Sequence, residues 1–340
     1  MILTYTVANS DEGRTVYSVM RKELRISATM MRRLKLADAI SVSGVSVFTN
    51  YNLKSGETVK VDILAAEQPC DNLPEHGTLD ILFENAGLLA VNKPIGVLIH
   101  PSRSRHMGTL SNFVAWYLEH GDDSSTFEIG AKPPSPAPCH AVNRLDRDTS
   151  GVVLFAKNSY MKALASQALS EPDVKKEYLA LVYGEIPQDG TIDVPIIRKE
   201  ERNLLRIPSL DGQRAVTHFE MLKTAKIGEQ VISLVKFRLE TGRTHQIRVH
   251  CLHLGHPIMG DKLYCNEQSA KLSESLGIAT QALHAQLLGF KEPLSEQYIE
   301  ITAKAPFLKT ENSPCNFLVD MLPPEFATCR SIKKQKSSRG

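Results

Sequence analysis

The stretch His140–Lys157, HAVNRLDRDTSGVVLFAK, decides how this chain folds and where its chemistry lies. It ends in a short apolar run, Val152–Ala156, which follows a Thr-Ser-Gly turn signal and opens with two β-branched residues. Such a run is typical of a buried strand. The pattern therefore predicts a charged loop that leads directly into the core, a common place for binding and catalytic groups.

The loop before this strand carries two carboxylates, Asp146 and Asp148, between Arg144 and Arg147. A neighbouring guanidinium favours the ionised form of a carboxyl group. An ionised Asp can act as a nucleophile, a general base or an electrostatic stabiliser. The same residues could instead form a salt-bridged loop that only fixes local geometry, because structural ion pairs also perturb carboxylates. The loop alone leaves both interpretations open.

Composition limits the class of protein. A chain of 340 residues with 42% hydrophobic content predicts two domains and a sizeable core. The formal net charge is only +2, so affinity for a polyanion must come from a local patch. No apolar run is long enough for a membrane helix and no signal peptide is evident, so we expect a cytoplasmic protein without a membrane partner. The six scattered cysteines favour reduced thiols over disulfides or a zinc site.

The first 66 residues read as a small basic module. Residues 14–35 carry seven basic side chains against one acid, Glu23, and apolar residues recur at helical spacing. Ser27 is expected to cap the second of two helices, and short β-like pieces follow, ending in the alternating run Thr58–Leu64. A basic face on such a module would attract phosphates. The alternative is an ordinary solvated helix face.

Residues 67–78 contain no periodic pattern and predict a linker. Beyond it, strand-like runs outnumber helical ones, which predicts an α+β domain around a mixed, largely antiparallel sheet. The polar, proline-rich residues 121–138 are expected to form a mobile surface loop, and the polar, basic residues 326–340 a disordered tail. The strand-like runs are Leu79–Phe83, Leu88–Val91, Val97–Ile99, Val152–Ala156, Lys175–Gly184, Val194–Ile197, Ala215–Leu222 and Val231–Leu239.

The segment Thr241–His250, TGRTHQIRVH, follows the last of these strands. Thr244 is expected to cap a helix that places Arg248 in about its first turn, beside a buried face. Several histidines cluster here, but no carboxylate or cysteine pair completes a metal site. We therefore expect no metal, and assign the histidines to capping, packing or RNA contacts.

Together these pieces resemble the RluA-type pseudouridine synthases over about residues 10–300. The N-terminal module resembles the αL RNA-binding module named after ribosomal small-subunit protein four. The resemblance implies an α+β pseudouridine synthase domain over 79–310, preceded by an αL module over 1–66. It rests on Val91-Asn92-Lys93-Pro94, Arg144-Leu145-Asp146-Arg147-Asp148-Thr149-Ser150-Gly151, Lys176-x-Tyr178-x-Ala180-x-Val182-x-Gly184, Thr241–His250 and Leu283-His284-Ala285.

Residue roles follow from this resemblance. Asp146 would be the catalytic aspartate that attacks a flipped uridine at the sugar or the base. Tyr178 would stack on the base and assist proton removal from C5, and Arg248 would pair with Asp146. Further contacts are implied for the substrate (Arg144, Arg147 and Leu283) and for RNA in the N-terminal module (Arg14, Arg32 and Arg33).

The resemblance also implies that no metal or organic cofactor is needed and that the partner is RNA. Large-subunit ribosomal RNA is the expected substrate, transfer RNA is the alternative, and we expect a monomer. A third interpretation is a ribosome-assembly factor that binds RNA without catalysis. Asn143 gives this interpretation some support, because the family usually has His at that position.

Overall fold

The computed structural model describes residues 1–68, 70, 72–102, 105–121, 137–200, 205–308 and 333–334. In this part of the chain the strands form two main sheets and a short hairpin. The helices are α1 (Val16–Lys22), α2 (Ala28–Leu36), α3 (Leu110–His120), α4 (Ser159–Ala168), α5 (Gln246–His253) and α6 (Glu267–Ser275). The strands are β1 (Ile2–Thr6), β2 (Ile40–Val42), β3 (Val45–Ser46), β4 (Thr58–Asp62), β5 (Ile81–Glu84), β6 (Leu88–Lys93), β7 (His140–Ala141), β8 (Ser150–Ala156), β9 (Lys175–Tyr183), β10 (Asp189–Asp193), β11 (Ile196–Arg198), β12 (Arg206–Pro208), β13 (Val216–Ile227), β14 (Gln230–Leu239), β15 (Leu283–Lys291), β16 (Tyr298–Thr302) and β17 (Lys333–Lys334).

The N-terminal module contains the smaller sheet, an antiparallel arrangement in the order β1-β4-β2-β3. Helices α1 and α2 bury their apolar faces in the hydrophobic cluster that also contains Val59 and Val61 of β4. The hydroxyl of Ser27 accepts a hydrogen bond from the Met30 amide at 3.1 Å, which confirms the expected N-cap. Because one face of each helix is buried, the intervening basic residues are left facing solvent.

The larger sheet runs in the order β10-β13-β14-β9-β15-β8-β6-β5, with β16 beside β15, β17 beside β16 and β7 beside β8. Strand β15 pairs in parallel with β8, and the other pairings of the described strands in this sheet are antiparallel. The sheet is therefore mixed and largely antiparallel, and the predicted α+β class is confirmed.

Strand β8 lies inside this sheet between β15 and β6, and all seven of its residues are buried. Gly151 has a φ of 117°, and a Cβ atom built there would lie 2.1 Å from the carbonyl oxygen of Ala285 on β15. Only glycine permits this backbone conformation and this close approach. The parallel pairing places the Asp146 loop, which precedes β8, beside the first residues of β15.

The N-terminal module contacts the larger domain directly. The Tyr160 hydroxyl on α4 donates a hydrogen bond to the Leu24 carbonyl at 2.8 Å, and the Arg25 guanidinium bonds the carbonyl of Pro293. The described residues between 67 and 78 contain no helix or strand. The boundaries 1–66, 67–78 and 79–310 remain a prediction.

Two predicted segments fall largely outside the described residues. The expected loop, 121–138, is described only at its ends, and the expected tail, 326–340, only at Lys333–Lys334. The helices of the described ranges include none that is long and apolar enough to cross a bilayer.

The predicted strand Val97–Ile99 is wrong. The segment makes only a single isolated bridge, between Leu98 and Thr109. The Val97 carbonyl accepts from the buried Lys93 ammonium at 2.9 Å, and the carbonyls of Leu98 and Ile99 accept from the amides of Leu110 and Ser111 at 2.8 and 2.9 Å. These carbonyls bond a side chain and the first turn of α3, so they form no strand ladder.

Candidate active site

The Asp146 loop connects β7 to β8 and is fixed from several sides. The Lys93 ammonium donates to the Arg147 carbonyl at 2.7 Å, and the Gln281 side chain donates to the Thr149 hydroxyl at 2.7 Å. Burial lowers the pKa of Lys93 to about 8, partly opposed by the charges of Asp148 and Asp146. Lys93 therefore remains protonated at neutral pH and can donate three hydrogen bonds. These contacts fix the backbone from which the Asp146 side chain projects.

Asn143 stabilises the start of this loop. Its side chain donates to the Val152 carbonyl at 3.0 Å and accepts from the Leu154 amide at 2.8 Å. Both groups belong to β8, so Asn143 connects the start of the loop to that strand. The family usually has His at this position, and here both polar groups of the Asn143 side chain are hydrogen-bonded.

Arg248 is the ionic partner of Asp146. Its Nη1 atom lies 3.0 Å from Oδ2 of Asp146, and its Nε and Nη2 atoms lie 2.7 and 2.9 Å from the two oxygens of Asp261. Burial would lower the pKa of Arg248, but the bonds and charges of Asp261 and Asp146 raise it above its usual range. A permanently charged guanidinium therefore joins a buried carboxylate, Asp261, to a partly exposed one, Asp146.

Asp261 was not identified from the sequence. Its Oδ1 atom also accepts from the amides of Leu263 and Tyr264, at 2.9 and 3.0 Å. These contacts fix the carboxylate, which in turn fixes Arg248. No local pattern in the sequence points to Asp261, because its pairing with Arg248 is set by the tertiary structure.

Helix α5 begins one residue later than expected. It starts at Gln246, and its N-cap is His245 in the left-handed region, with φ 59° and ψ 19°. The predicted cap at Thr244 is therefore wrong. The Gln246 side chain accepts from the Thr241 hydroxyl and the Arg243 amide, at 2.8 and 2.9 Å, so this glutamine organises the turn. Arg248 still lies in the first turn of the helix, as expected.

Tyr178 on β9 faces the same space as Asp146. In the sheet it is paired with Ala285 of β15 and Phe237 of β14. Burial raises the pKa of Tyr178, and the charge of Asp146 adds to this effect. The phenol is thus neutral at physiological pH. A neutral phenol supports a stacking role better than a role as the base that removes a proton.

These groups line one depression, here called the Asp146 cleft. Its outer part has a volume of about 660 Å³, and a smaller inner part of about 60 Å³ contains Arg248, His245 and the buried Leu283. Asp146, Tyr178 and Arg144 line both parts. Residues from the loop, α4 and β9 also line the outer part, including Asn143, Lys162, Ser166 and Lys176.

Arg147 pairs with Asp148 and not with Asp146. Its guanidinium is 61% exposed and makes two 3.0 Å hydrogen bonds to Asp148. Among the described residues that line the Asp146 cleft, Arg144 is present and Arg147 is not. The two flanking arginines therefore do not enclose Asp146 as a pair, because neighbouring residues in a turn project in different directions. The ion pair of Asp146 comes from Arg248, 102 residues away.

The three arginines predicted in the N-terminal module are not equivalent. Arg14 forms ion pairs with Asp11 and Glu23. Arg32 is exposed and Arg33 partly exposed on α2, and neither forms an ion pair with any residue in the described part of the chain.

His250 of α5 and His256 beyond it have structural partners. His250 lies 2.9 Å from the Thr217 hydroxyl and 3.0 Å from the Val194 carbonyl, and His256 lies 3.0 Å from the Tyr183 carbonyl. Across the described ranges, no three His, Cys, Asp or Glu residues form a group that could hold a metal ion.

The fold and the site define a class of enzyme in which an oriented carboxylate and an aromatic ring face one cleft. Residues 87–253 match the family model described as RNA pseudouridylate synthase. The chain is 35% identical over 306 residues to the protein named "Uncharacterized RNA pseudouridine synthase YhcT" of Bacillus subtilis (strain 168), covering 90% of this chain and 93% of that protein. It is 33% identical over 288 residues to the ribosomal large subunit pseudouridine synthase D of Zymomonas mobilis, covering 83% and 87% respectively.

Among solved structures, the chain resembles human RNA pseudouridylate synthase domain containing 1. The TM-score is 0.53 at 26% identity, covering 71% of this chain and 87% of that one. The chain therefore belongs to the RNA pseudouridylate synthase family. It is a pseudouridine synthase, an isomerase that acts on RNA.

Proposed function

We propose that this enzyme isomerises specific uridines in large-subunit ribosomal RNA, in the cytoplasm, with Asp146 as the nucleophile. One observation carries the assignment to Asp146: Arg248 holds one oxygen of this carboxylate at 3.0 Å inside a cleft that Tyr178 also lines. Support for the ribosomal substrate comes from relatives named ribosomal large subunit pseudouridine synthase D.

The reaction begins with extrusion of the target nucleotide, because its reacting atoms are inaccessible within stacked RNA. Extrusion costs a few kcal/mol, and stacking on an aromatic ring contributes about 1–3 kcal/mol per base. Tyr178 provides such a ring at the cleft. Leu283 supplies an apolar wall of the inner part, and Arg144 supplies an exposed cation for the backbone phosphate or the extruded nucleotide.

Asp146 then attacks the sugar or the base, and the N1–C1′ glycosidic bond breaks. The uracil turns, a new C5–C1′ bond forms, the bond to Asp146 breaks and restores its carboxylate, C5 loses its proton, and N1 gains one. No atom or electron is gained or lost overall, so the reaction needs only an oriented nucleophile and a route for one proton. An ionised Asp is already in its nucleophilic form and needs only orientation, which Arg248 provides.

The N-terminal module would bring RNA to the cleft. Its αL character and the RNA contacts of Arg14, Arg32 and Arg33 form part of this proposal. Support comes from the exposure of Arg32 and Arg33 on α2, because exposed cations bind phosphates by releasing counterions. Arg147 is also exposed, so a contact with phosphate outside the cleft remains available to it.

The direct test measures tritium release from RNA labelled at C5 of uridine. The unmodified protein should release label to water, and Asp146→Asn should lower the rate by about 10⁴-fold or more. Asp148→Asn is the matched control, because this neighbouring carboxylate bonds the exposed Arg147, and it should retain most of the activity. Absence of release from every cellular RNA by folded, purified protein would refute the enzyme assignment.

A pseudouridine map of a deletion strain identifies the substrate. Loss of a site in large-subunit ribosomal RNA supports the proposal, and loss of a site in transfer RNA alone contradicts it. The deletion strain complemented with Asp146→Asn tests the third interpretation. If this variant restores growth but not modification, RNA binding without catalysis is the physiological role.

A further inference from the structure

His245 occupies a conformation that few residues adopt. Its φ of 59° and ψ of 19° lie in the left-handed region, and no side-chain hydrogen bond caps α5 there. Such conformations are unfavourable for residues other than glycine, and they cluster at functional sites when the surrounding structure holds them in place. Here the conformation directs the imidazole into the inner part of the Asp146 cleft.

The hydrogen bonds around Tyr264 favour one position of the proton on the His245 ring. The Arg206 amide donates to the Tyr264 oxygen at 2.8 Å, and this oxygen lies 2.9 Å from Nδ1 of His245. In the described part of the chain, Nδ1 is the acceptor available to the Tyr264 proton. This arrangement favours donation from the Tyr264 hydroxyl to Nδ1 of His245. Burial lowers the pKa of His245, only partly opposed by the charge of Asp146, which favours a neutral ring with its proton on Nε2.

The Nε2 atom of His245 lies 3.8 Å from Oδ2 of Asp146. This is the same oxygen that Arg248 binds at 3.0 Å. Among the described residues, none donates a hydrogen bond to Oδ1 of Asp146. Two N–H groups therefore converge on one oxygen, and the other is left open to the cleft. Active-site contacts of this length commonly shorten once substrate is bound.

The geometry points to His245 as a positioning residue, which together with Arg248 fixes Oδ2 of Asp146 so that Oδ1 reacts with the nucleotide. Tyr264 sets the tautomer that makes this possible. The same tyrosine ring lies 4.9 Å from the Arg248 guanidinium, so one side chain supports both donors. The inference rests on the proposed function, because it concerns how the proposed nucleophile is aimed.

Three variants separate the side chain of His245 from its backbone. His245→Asn tolerates the left-handed conformation but is too short to reach Asp146. His245→Gln keeps an amide N–H at about the position of Nε2. Tyr264→Phe keeps the ring over Arg248 and removes the hydroxyl that sets the tautomer.

We expect His245→Asn to lower kcat by about 10- to 100-fold, the scale of a misaligned reacting group, with little change in KM. His245→Gln should recover part of the loss. Tyr264→Phe should lower kcat in the parent protein and have no further effect in His245→Asn. The inference would be overturned if His245→Asn left kcat unchanged or altered only KM. It would also be overturned if the double variant lowered kcat by the product of the two single effects.

A second measurement does not depend on activity. The ¹⁵N chemical shifts of the His245 ring in the folded protein report its tautomer, and we expect the proton on Nε2. A proton on Nδ1 would contradict the inference whatever the activity. Failure of the proposed function would be recognised separately, by the absence of label release from the parent protein or by full activity of Asp146→Asn.

Discussion

The Asp146 cleft and the N-terminal module use charge in opposite ways. In the cleft, Arg248 is only 9% exposed and bonds two carboxylates at fixed distances. In the module, Arg32 and Arg33 lie on the outer side of α2 and form no ion pair within the described part of the chain. A buried charge with fixed partners orients a reacting group, whereas an exposed charge attracts phosphates over about 8–10 Å of salt solution. Burial therefore separates the two roles more clearly than the number of charges does.

Replacing Arg248 should have the largest effect on kcat and on the free energy of unfolding. This change tests the role of the buried charge in the cleft. Arg248→Met leaves Asp261 buried without its cation, which should cost about 3–5 kcal/mol of unfolding free energy. The same change releases Asp146, and we expect a fall in kcat of about 10³-fold. Single-turnover pseudouridine formation and urea unfolding measure the two effects.

Two further arginine variants control this experiment. Arg248→Lys keeps the charge but cannot bond both carboxylates in the same geometry, so its kcat should fall by about 10²-fold. Arg243→Met changes an exposed arginine that also lines the cleft and whose guanidinium, among the described residues, bonds the Arg214 carbonyl at 3.1 Å. A normal kcat in Arg248→Met, or an equal loss in Arg243→Met, would contradict the role of Arg248.

Much of the large sheet could be predicted from local pattern. The buried run Val152–Ala156 lies within β8, and the alternating run Val231–Leu239 lies within β14, because burial on one or both faces leaves a clear sequence signal. The predicted strand Val194–Ile197 was less accurate, because it overlaps β11 only at Ile196 and Ile197. Strand β10, Asp189–Asp193, was not predicted, and Pro195 interrupts the segment because it has no amide hydrogen to donate.

The chemistry of the site was less accessible, because its key contacts join distant parts of the chain. The expected proximity of Asp146, Tyr178 and Arg248 came from family resemblance, since no local pattern relates residues 102 positions apart. The sequence places Arg144 and Arg147 on either side of Asp146, but adjacency in the chain does not set the direction of a side chain. Asp261 and the left-handed His245 depend wholly on tertiary structure.

Histidine titration distinguishes the two regions, because the N-terminal module contains no histidine. His284 on β15 is fully buried, with Nδ1 2.8 Å from the Ser150 hydroxyl and Nε2 3.1 Å from the Ala303 carbonyl. Burial lowers its pKa from 6.5 to about 4, partly opposed by the Ala303 contact. Between these values the unfolded state binds more protons, so stability falls as pH falls through this window, by about 3 kcal/mol in total.

Urea unfolding between pH 7 and pH 4 measures this slope. His284→Gln should flatten it, even if the variant is less stable at pH 7, because glutamine does not titrate. His218→Gln is the control, since this histidine is partly exposed beside Glu240. An unchanged slope in His284→Gln would show that other groups produce the acid sensitivity.

Replacing Lys93 should lower the free energy of unfolding by a smaller amount. Burying its ammonium group is unfavourable, whereas the hydrogen bonds that this group donates are stabilising. Lys93→Met removes the donor to three carbonyls, including that of Arg147, and also removes the cost of burying an ammonium group. We expect a net loss of about 2 kcal/mol and a lower kcat from the loosened Asp146 loop. Lys162→Met, on the exposed side of α4, should leave stability unchanged. Equal unfolding midpoints for the two variants would argue against a structural role for Lys93.

The smallest effect is expected from replacing exposed arginines of the N-terminal module, and it concerns the affinity for RNA. The double variant Arg32→Gln, Arg33→Gln should weaken RNA binding and reduce the slope of log affinity against log salt by about 2, one unit for each lost phosphate contact. Arg14→Gln should change this slope less, because Asp11 and Glu23 already neutralise Arg14.

Neither change should alter kcat at saturating RNA, since an exposed cation brings RNA to the enzyme without orienting the reacting carboxylate. Equal salt slopes for the double variant and the parent protein would place the RNA-binding charge elsewhere on the chain, and a lower kcat would show that the module also acts on the cleft.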